Sequence, residues 1–456
     1  MRIGIEDMAF YVPSIYVSVE EFSQARNMEF PKLNKGLGLN KMAIPDVGED
    51  AATMAANALV KLFRQNDLSP SEVGRIYMGT ESALDSAKPT ASYALEMLEE
   101  YLRPTHGEGC LEHVDVVDMT FACIGAVDAL QNTLDWVRCG EGRKGIVVAS
   151  DNAKYELESP GEYTQGAGAV ALLVQKDPSL LSMGHHWGVA TKSVHDFFKP
   201  RREHSKKELL GNASESKHAL WNNNEPVLEE FRETPVFDGQ FSNECYAARI
   251  NEAYARFKNV SETGLEQWSY EVFHLPYAFH GRRIFTQLYI DYVENESELE
   301  TLEAELGLAR SDKGFVRAMS KTEAYKQFVK NNIAPGEWAS SDIGNMYTAS
   351  IFMSLMSLLT HEEEGSSGRS IGFFAYGSGS KAKVFEGTVG DDIASKVKNW
   401  ELKEGLEARV AIDFEEYQAL HNGQLSAPLR ATQSLFLRDS NKYEGDLPGQ
   451  KQYRLI

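Results

Sequence analysis

Cys123 is the residue whose position in this sequence most favours nucleophilic chemistry. Val114, Val116 and Val117 predict a buried strand, and from Ile124 onward the apolar residues recur at helical spacing. Cys123 therefore lies where a strand turns into a helix, near unpaired backbone N–H groups and the positive end of the helix dipole. We expect this location to lower the pKa of the thiol and to favour the thiolate, the form that attacks carbonyl carbon. The alternative is an inert buried cysteine, the commoner fate of a free Cys.

Two further residues stand at strand ends and can move protons. Glu81 follows the short strand 76–78, at the carboxyl end where α/β proteins place reacting groups. It is either a general base or a cap on the helix that follows, and position alone favours the cap. His274 follows strand 270–273 and precedes the Leu-Pro pair that ends it. It is either an acid–base group or a structural histidine, and the second is commoner for a histidine considered alone.

Two glycine-rich segments predict an internal repeat. TQGAGAVALLV around Gly166 is echoed by AYGSGSKAKVF around Gly377, and each follows a turn and an apolar helix, at Cys123 and at Asn345. Two such α/β halves packed face to face predict a layered α-β-α-β-α sandwich with both helix starts at the interface. Chance similarity is the alternative, since glycine marks many turns. A phosphate-binding loop is not supported, because no G-K-[ST] motif accompanies the glycines.

Other segments predict the elements that must position these residues. Residues 1–13 predict a strand, 50–65 a helix with Asp50 as its N-cap, and 145–151 a buried strand. Residues 242–257 predict another helix. The polar and poorly periodic residues 203–230 predict a surface insertion rather than a linker between domains.

Composition narrows the class of protein. The chain has 456 residues, 42% of them hydrophobic, and a formal net charge of −21. That charge makes nucleic acid or an anionic membrane an unfavourable partner. The sequence shows neither a secretory signal nor an apolar run long enough to cross a membrane, so we expect a cytoplasmic protein. Its four cysteines form no C-x-x-C pair, which argues against a zinc ribbon or a disulfide scaffold.

The motifs taken in order resemble those of the hydroxymethylglutaryl-CoA synthases of the thiolase superfamily, over almost the whole chain. The matching segments are GTESALDSAKP, FACIGAVDAL, SDNAKYELESPGEYTQGAGAVALL, HDFFKP, VFHLP, GNMYTAS and YGSGS. The length and the ACIGA form of the nucleophile motif are most similar to the prokaryotic branch. The resemblance implies the thiolase-like five-layered sandwich built from two duplicated halves. We place these halves at residues 1–175 and 176–456.

The resemblance also implies a chemistry that suits these residue types. Cys123 would take the acetyl group of acetyl-CoA, and Glu81 would remove a proton from its methyl group. The enolate would attack the ketone of acetoacetyl-CoA, oriented by His274 and Asn345, and water would release 3-hydroxy-3-methylglutaryl-CoA. The backbone N–H of Cys123 and a donor near Ser378 would form the oxyanion hole. No metal or redox cofactor is expected, because the CoA thioester supplies the activation.

The remaining residues carried over by the resemblance bind substrate. Tyr155 resembles the tyrosine that positions the acetyl-enzyme, and Thr164 lies in the same matching segment. Relatives often carry a CoA-binding lysine five residues after the histidine, where this chain has Phe279. We expect Arg282, Arg283 and Lys199 to meet the CoA phosphates, although Arg282 and Arg283 could equally be an ordinary surface ion-pair site.

Two other functions stay open. One is the same condensation on a ketoacyl chain carried by an acyl carrier protein, and the other is a non-catalytic thioester-binding relative. The resemblance further implies a homodimer, and a larger complex with a thiolase is compatible with it.

Overall fold

The computed structural model describes residues 2–140, 142–205, 227–292, 296–312, 314–363, 365–391, 393–439 and 450–456. The strands are β1 Ile3–Tyr11, β2 Ile15–Ser18, β3 Lys41–Ile44, β4 Val73–Gly79, β5 Asp115–Met119, β6 Lys144–Ala153, β7 Gly166–Lys176, β8 Leu181–Met183, β9 Gly188–Thr191, β10 Phe197–Phe198, β11 Arg201–Ser205, β12 Val227–Phe231, β13 Val236–Phe237, β14 Tyr270–Phe273, β15 Ser370–Gly377, β16 Lys381–Val389, β17 Val410–Ala411, β18 Phe436–Arg438 and β19 Tyr453–Leu455.

The α-helices are α1 Val19–Ala25, α2 Phe30–Leu37, α3 Ala51–Gln65, α4 Thr90–His106, α5 Gly125–Cys139, α6 Gly239–Lys258, α7 His280–Tyr292, α8 Glu296–Leu306, α9 Phe315–Met319, α10 Glu323–Phe328, α11 Trp338–Ile343, α12 Ser350–His361, α13 Ala394–Trp400, α14 Leu402–Glu407 and α15 Phe414–His421. Short 3₁₀ turns cover Pro70–Glu72, Glu162–Thr164, Ala334–Gly336 and Tyr347–Ala349, and a π-helical turn covers Val329–Ile333.

The two halves repeat one strand pattern. In the first half β4 runs parallel to β6, and β6 forms an antiparallel pair with β7. In the second half β14 runs parallel to β15, and β15 forms an antiparallel pair with β16. The helix before the middle strand is α5 in one half and α12 in the other. The strands of both halves join through β8, which pairs with β1 on one side and with β16 on the other.

Helices fill three layers around these strands, so the predicted five-layered sandwich is confirmed. The outer face of the first half packs against α3 and α4 in one apolar core, and the outer face of the second half packs against α6 and α7 in another. Between the two half-sheets lie α5 and α12, whose apolar side chains share a single core with strand residues of both halves. Because α5 and α12 both begin in this central layer, the first residues of these two helices lie close to the ends of the strands that precede them.

Several local predictions are confirmed. Asp50 caps α3 by accepting hydrogen bonds from the backbone N–H groups of Ala52 and Thr53, at 3.0 and 3.1 Å. Thr53 in turn accepts from the backbone of Asp50, which completes a capping box. The strands predicted at the start of the chain and over 145–151 are β1 and β6, and the helix predicted over 242–257 is α6.

One strand prediction is wrong in its burial. β5 is half-buried rather than buried, with Asp115 exposed and Val116 and Val117 intermediate. Among the strands that the structure describes, it pairs only with β4 and so ends the sheet. The apolar run therefore predicted the strand correctly. It did not reveal that β5 is an edge strand, which is why its residues are only partly buried.

The predicted insertion begins and ends as a ribbon. β11 pairs antiparallel with β12, so that Arg201 lies opposite Phe231 and Ser205 opposite Val227. Residues 206–226 of the insertion lie outside the described residues.

The last part of the chain returns to the first half. β17 pairs with β2, and Phe436 of β18 lies in the core formed by α3 and α4. The division into 1–175 and 176–456 stays a prediction. Within the described ranges, no helix combines the length and apolar character needed to cross a bilayer.

Candidate active site

Cys123 occupies the predicted turn between β5 and α5. The turn is tight: Ala122, the residue before the cysteine, has φ of +39°, a conformation that non-glycine residues rarely adopt. The glycine-rich turn of the second half lies directly against it, because a Cβ placed on Gly377 would stand 2.6 Å from the carbonyl oxygen of Phe121. The predicted contact between the two glycine-marked halves is therefore a contact at the nucleophile itself.

Glu81 lies next to the Cys123 sulfur. The thiol donates a hydrogen bond to Glu81 Oε1 at 2.8 Å, although 42 residues separate the two in sequence. Glu81 does not cap α4, because the backbone N–H groups of Thr90 and Ala91 donate instead to the carboxylate of Asp118. The cap interpretation is therefore wrong, and the carboxylate faces the cysteine.

The expectation of an acidic thiol is also wrong. Burial and, next, the Glu81 carboxylate raise the pKa of the Cys123 thiol well above its ordinary value. These two effects outweigh the start of helix α5, whose dipole favours the thiolate. The thiol is therefore protonated in the free protein, with its proton directed at the Glu81 carboxylate.

Lys199 lies inside the site rather than at a CoA phosphate, which corrects the expectation for this residue. Its ammonium donates to the backbone carbonyl of Glu81 at 3.0 Å and stands 3.7 Å from Glu81 Oε2. It also lies 4.7 Å from the centre of the Tyr347 ring. Burial raises the pKa of Glu81 to about 7, and the charge of Lys199 opposes that increase. The short strand β10 ends one residue before Lys199 and delivers it to this position.

Asp151, at the end of β6, holds the Glu81 segment in place. Its Oδ1 accepts from the backbone N–H of Glu81 at 2.8 Å and from the Thr80 hydroxyl at 3.0 Å. Its Oδ2 accepts from the backbone N–H of Thr348 in the second half at 3.0 Å. Sequence reasoning missed Asp151, although it lies at a strand's carboxyl end in the quoted segment SDNAKY.

His274 follows β14 as predicted and is fully buried. Its Nδ1 is 2.5 Å from the hydroxyl of Ser350, the first residue of α12, and this hydroxyl also accepts from the backbone N–H of Leu275 at 3.1 Å. Burial lowers the pKa of His274 to about 3. The imidazole is therefore neutral and has a fixed orientation at neutral pH. Sequence reasoning missed Ser350, which supplies that orientation.

Asn345 and Thr164 connect the two halves beside the cysteine. The backbone N–H of Asn345 donates to the carbonyl of Thr164 at 3.0 Å, and its side-chain oxygen accepts from the backbone N–H of Tyr347 at 2.8 Å. Thr164 uses its hydroxyl within its own turn, donating to the carbonyl of Gly161 at 2.8 Å. Tyr155 belongs to the small apolar cluster that contains Cys123, with its ring 6.4 Å from that of Tyr347.

Ser378 lies in the turn between β15 and β16, and Asp196 shapes that turn. One carboxylate oxygen of Asp196 accepts from the backbone N–H of Gly379 at 2.7 Å, and the other accepts from the Tyr376 hydroxyl at 2.7 Å. Asp196 is completely buried. The aspartate of the quoted HDFFKP motif thus positions the glycine-rich turn, a role that sequence reasoning did not assign.

One cavity of about 300 Å³ contains most of the predicted site. Its walls include Cys123, Tyr155, Thr164, His274, Asn345 and Ser378. Arg283, which is exposed, lines the same cavity and marks its outer end. The structure thus brings together the nucleophile, the carboxylate bonded to it and the buried histidine, which come from both halves of the chain.

The two arginines are in different environments. Arg282 pairs through both branches with the buried carboxylate of Glu337, with Nε 2.9 Å from Oε1, and lies over the Phe279 ring at 3.9 Å. Its charge is therefore used within the protein, and the ion-pair interpretation holds for Arg282. Arg283 lines both the central cavity and a second one of about 630 Å³, which Arg317 and Lys330 also line.

The comparisons with known proteins agree with this architecture. Residues 1–179 match the family model described as "Hydroxymethylglutaryl-coenzyme A synthase N terminal", and residues 217–429 match its "C terminal" counterpart. A hydroxymethylglutaryl-CoA synthase of Haloferax volcanii is 29% identical over 441 residues, covering 92% of this chain and 91% of that protein. A hydroxymethylglutaryl coenzyme A synthase of a Fusarium species is 30% identical over 443 residues, covering 91% and 89%.

Among solved structures, "MvaS in complex with 3-hydroxy-3-methylglutaryl coenzyme A" superposes with a TM-score of 0.78 at 31% identity, covering 100% of this chain and 99% of that one. The fold is therefore thiolase-like, and its site is that of an acyl-condensing enzyme. More narrowly, the chain belongs to the hydroxymethylglutaryl-CoA synthase family.

Proposed function

We propose that this protein condenses acetyl-CoA with acetoacetyl-CoA and water to give 3-hydroxy-3-methylglutaryl-CoA and free CoA, in the mevalonate route to isoprenoids. The observation that carries the proposal is the 2.8 Å hydrogen bond from the Cys123 thiol to Glu81, in a cavity that also holds His274. The names of the similar proteins, and the product named with one solved relative, support the same substrates.

The first step is transfer of the acetyl group to the enzyme. Glu81 takes the thiol proton along the existing hydrogen bond, and the Cys123 thiolate attacks the carbonyl carbon of acetyl-CoA. The bond to the CoA sulfur breaks, and the departing thiolate takes the proton from Glu81. This step leaves acetyl-Cys123 and free CoA, so the kinetics are ping-pong.

Carbon–carbon bond formation uses the same carboxylate. Glu81, again ionised, removes a proton from the methyl group of acetyl-Cys123, and the enolate attacks the ketone carbon of acetoacetyl-CoA. Negative charge develops first on the thioester oxygen, and we assign its stabilisation to the backbone N–H of Cys123 and to a donor near Ser378. Glu81 is protonated after this step and gives its proton to the new alkoxide, which is a much stronger base than a carboxylate.

His274 and Asn345 orient the acetoacetyl group. Ser350 faces Nδ1 of His274, and the ring also hydrogen-bonds the backbone of Tyr347. When substrate binds, we assign the N–H of the neutral imidazole to the acetoacetyl carbonyl oxygen instead. The amide nitrogen of Asn345 is the second donor, since the side-chain oxygen is already occupied by Tyr347 N–H. Tyr155 packs against the acetylated cysteine and positions it.

Water then cleaves the enzyme thioester and releases the product. The chemistry needs no metal or redox cofactor, because the thioester supplies the activation. Arg283 is the residue we assign to the CoA phosphates, with Arg317 and Lys330 adding positive charge nearby.

We further propose a cytoplasmic homodimer in which the open edge at β5 is covered by the partner, and an association with a thiolase that supplies acetoacetyl-CoA.

The test is direct product formation from purified substrates. Incubation with acetyl-CoA and acetoacetyl-CoA should release one free thiol in the first half-reaction and yield 3-hydroxy-3-methylglutaryl-CoA by mass spectrometry. A protein that accepts acetoacetyl groups only on an acyl carrier protein would support the branching variant instead. A protein that acquires no acetyl group from either donor would be a non-catalytic relative.

A further inference from the structure

His280 is a second histidine in the central cavity, and neither the sequence motifs nor the proposed mechanism uses it. It begins α7 and is 1% exposed. It lines the cavity that also holds Cys123 and His274. Among the described residues, neither of its ring nitrogens has a hydrogen-bond partner. A buried polar group in this state costs about 1–3 kcal/mol unless something else satisfies it.

The ring is held firmly in this position. It lies 4.7 Å from the Tyr246 ring and 4.8 Å, edge to face, from the Tyr277 ring, measured between ring centres. Tyr246 in turn lies 6.0 Å from the His274 ring and donates to the backbone carbonyl of His274 at 2.7 Å. His280 and His274 thus share Tyr246 as a ring neighbour, and the other ring neighbour of His280 is the half-exposed Tyr277.

The position along the cavity indicates which part of a substrate reaches this histidine. The reacting acyl groups lie at Cys123 and His274, and the phosphates of CoA are assigned to the exposed Arg283 at the outer end. What passes between these two points in a CoA thioester is the pantetheine arm, which carries two amide groups. An amide offers one hydrogen-bond acceptor and one donor.

The charge state of His280 matches such a partner. Burial lowers its pKa to about 3, and the positive charge of Arg283 acts in the same direction, as would a protonated His274. At neutral pH the ring is therefore uncharged and presents one nitrogen as a donor and the other as an acceptor. A positively charged ring would repel Arg283, whereas the neutral ring is suited to an amide.

We propose that His280 is a substrate-binding residue that hydrogen-bonds an amide of the pantetheine arm, and that its unpaired nitrogens are satisfied only when CoA or a CoA thioester is bound. The inference rests on the proposed function for the nature of the ligand. It adds an arm-binding contact in the same cavity, beyond the Cys123, Glu81 and His274 set.

The proposal is tested by binding rather than by turnover, with CoA and adenosine 3′,5′-bisphosphate as the two probes. The second molecule has the phosphates but lacks the arm. Calorimetric titration of the His280→Leu variant should show CoA affinity reduced about three- to tenfold, the loss expected for one or two neutral hydrogen bonds. Affinity for the bisphosphate should be unchanged. His280→Gln, which keeps a donor and an acceptor, should recover most of the CoA affinity.

The matched control is His113→Leu, which removes an exposed histidine away from the cavity. Thermal unfolding separates a binding role from a structural one. Because leucine removes an unsatisfied buried polar group, His280→Leu should keep or raise the Tm of the free protein while it weakens CoA binding. A lowered Tm with equal losses for both probes would indicate a structural histidine, and CoA affinity within twofold of the unchanged protein would also overturn the proposal. If the unchanged protein binds CoA but does not condense the two substrates, that result would refute the proposed function and leave this inference intact.

Discussion

The ammonium of Lys199 stands 3.7 Å from the Glu81 carboxylate and donates to the backbone carbonyl of the same residue at 3.0 Å. The base of the proposed reaction is thus held by a cation that comes from the segment before the insertion. Glu81, Lys199 and Cys123 form one cluster of titratable groups in a buried site, where Coulomb interactions are strong. The state of each group therefore depends on the other two.

The first prediction concerns this ion pair. Lys199→Met removes the charge that holds down the pKa of Glu81, which is already raised to about 7. A carboxylate needed as a base is then formed only at higher pH. The rising limb of the condensation rate against pH should move upward by about one pH unit, and Lys199→Arg should restore it. An unchanged profile in the Met variant would show that Lys199 does not set the charge of Glu81.

The second prediction concerns two effects of the Glu81 carboxylate, its role as the base in carbon–carbon bond formation and its influence on the Cys123 thiol. Glu81→Gln should slow carbon–carbon bond formation by about 10²–10⁴-fold, the usual contribution of a general base. It should also make Cys123 easier to alkylate, because the carboxylate raises the pKa of the thiol. Iodoacetamide kinetics between pH 6 and 9 measure this effect, with the exposed Cys139 changed to Ser in all samples. Slower alkylation in the Gln variant would contradict the assigned coupling.

The third prediction distinguishes Arg283 from Arg282. Arg283→Met should raise the KM for acetyl-CoA about three- to tenfold, since it removes one charge-assisted contact to phosphate, and should leave stability nearly unchanged. Arg282→Met should instead lower the free energy of unfolding by about 2 kcal/mol or more, because it leaves the buried Glu337 unpaired. Urea unfolding and steady-state kinetics of both variants provide the check. A reversed pattern would exchange the two assignments.

The fourth prediction concerns Glu271 in β14, a carboxyl whose two oxygens have no hydrogen-bond partner among the described residues. Burial raises its pKa well above the ordinary value. The folded state therefore keeps this proton at pH values where the unfolded chain releases it, so stability falls as pH rises above about 4.5. Glu271→Gln should raise Tm, and by more at pH 8 than at pH 5.

The control for that experiment is Glu108→Gln, which neutralises an exposed carboxylate. It should shift Tm little at either pH. An equal gain at both pH values for Glu271→Gln would show that removal of the charge is not the cause.

The fifth prediction concerns His274. His274→Ala should weaken acetoacetyl-CoA binding while acetyl transfer to the enzyme continues, because the imidazole is assigned to the second substrate. The KM for acetoacetyl-CoA and the rate of acetyl-enzyme formation, measured separately, test this split. An unchanged KM for acetoacetyl-CoA would count against the assignment.

The features predicted correctly from sequence are those determined by residues that are close together in the chain. The α5 helix, the end of β14 before His274 and the N-cap at Asp50 each depend on the spacing of neighbouring residues. The layered architecture followed from a repeat of such local units. The family motifs also placed the cysteine and the histidine in one cavity.

The features that were predicted wrongly depend on residues distant in sequence. The pKa of Cys123 is governed by burial and by a carboxylate 42 positions away, which local spacing does not reveal. Lys199 lies 118 positions from Glu81, so its partner could not be found from the FFKP motif alone. Sequence analysis made no prediction for His280, because its packing against Tyr246 and Tyr277 follows from no local pattern.

The most direct test of the central claim is the mass of the peptide that contains Cys123 after incubation of the Glu81→Gln variant with acetyl-CoA. We predict that this peptide still gains one acetyl group, more slowly than in the unchanged protein because Glu81 no longer takes the thiol proton, that addition of acetoacetyl-CoA does not remove it at the normal rate, and that Cys123→Ser gains none. Acetylation elsewhere on the chain, or normal condensation by the Gln variant, would contradict the roles assigned to these two residues.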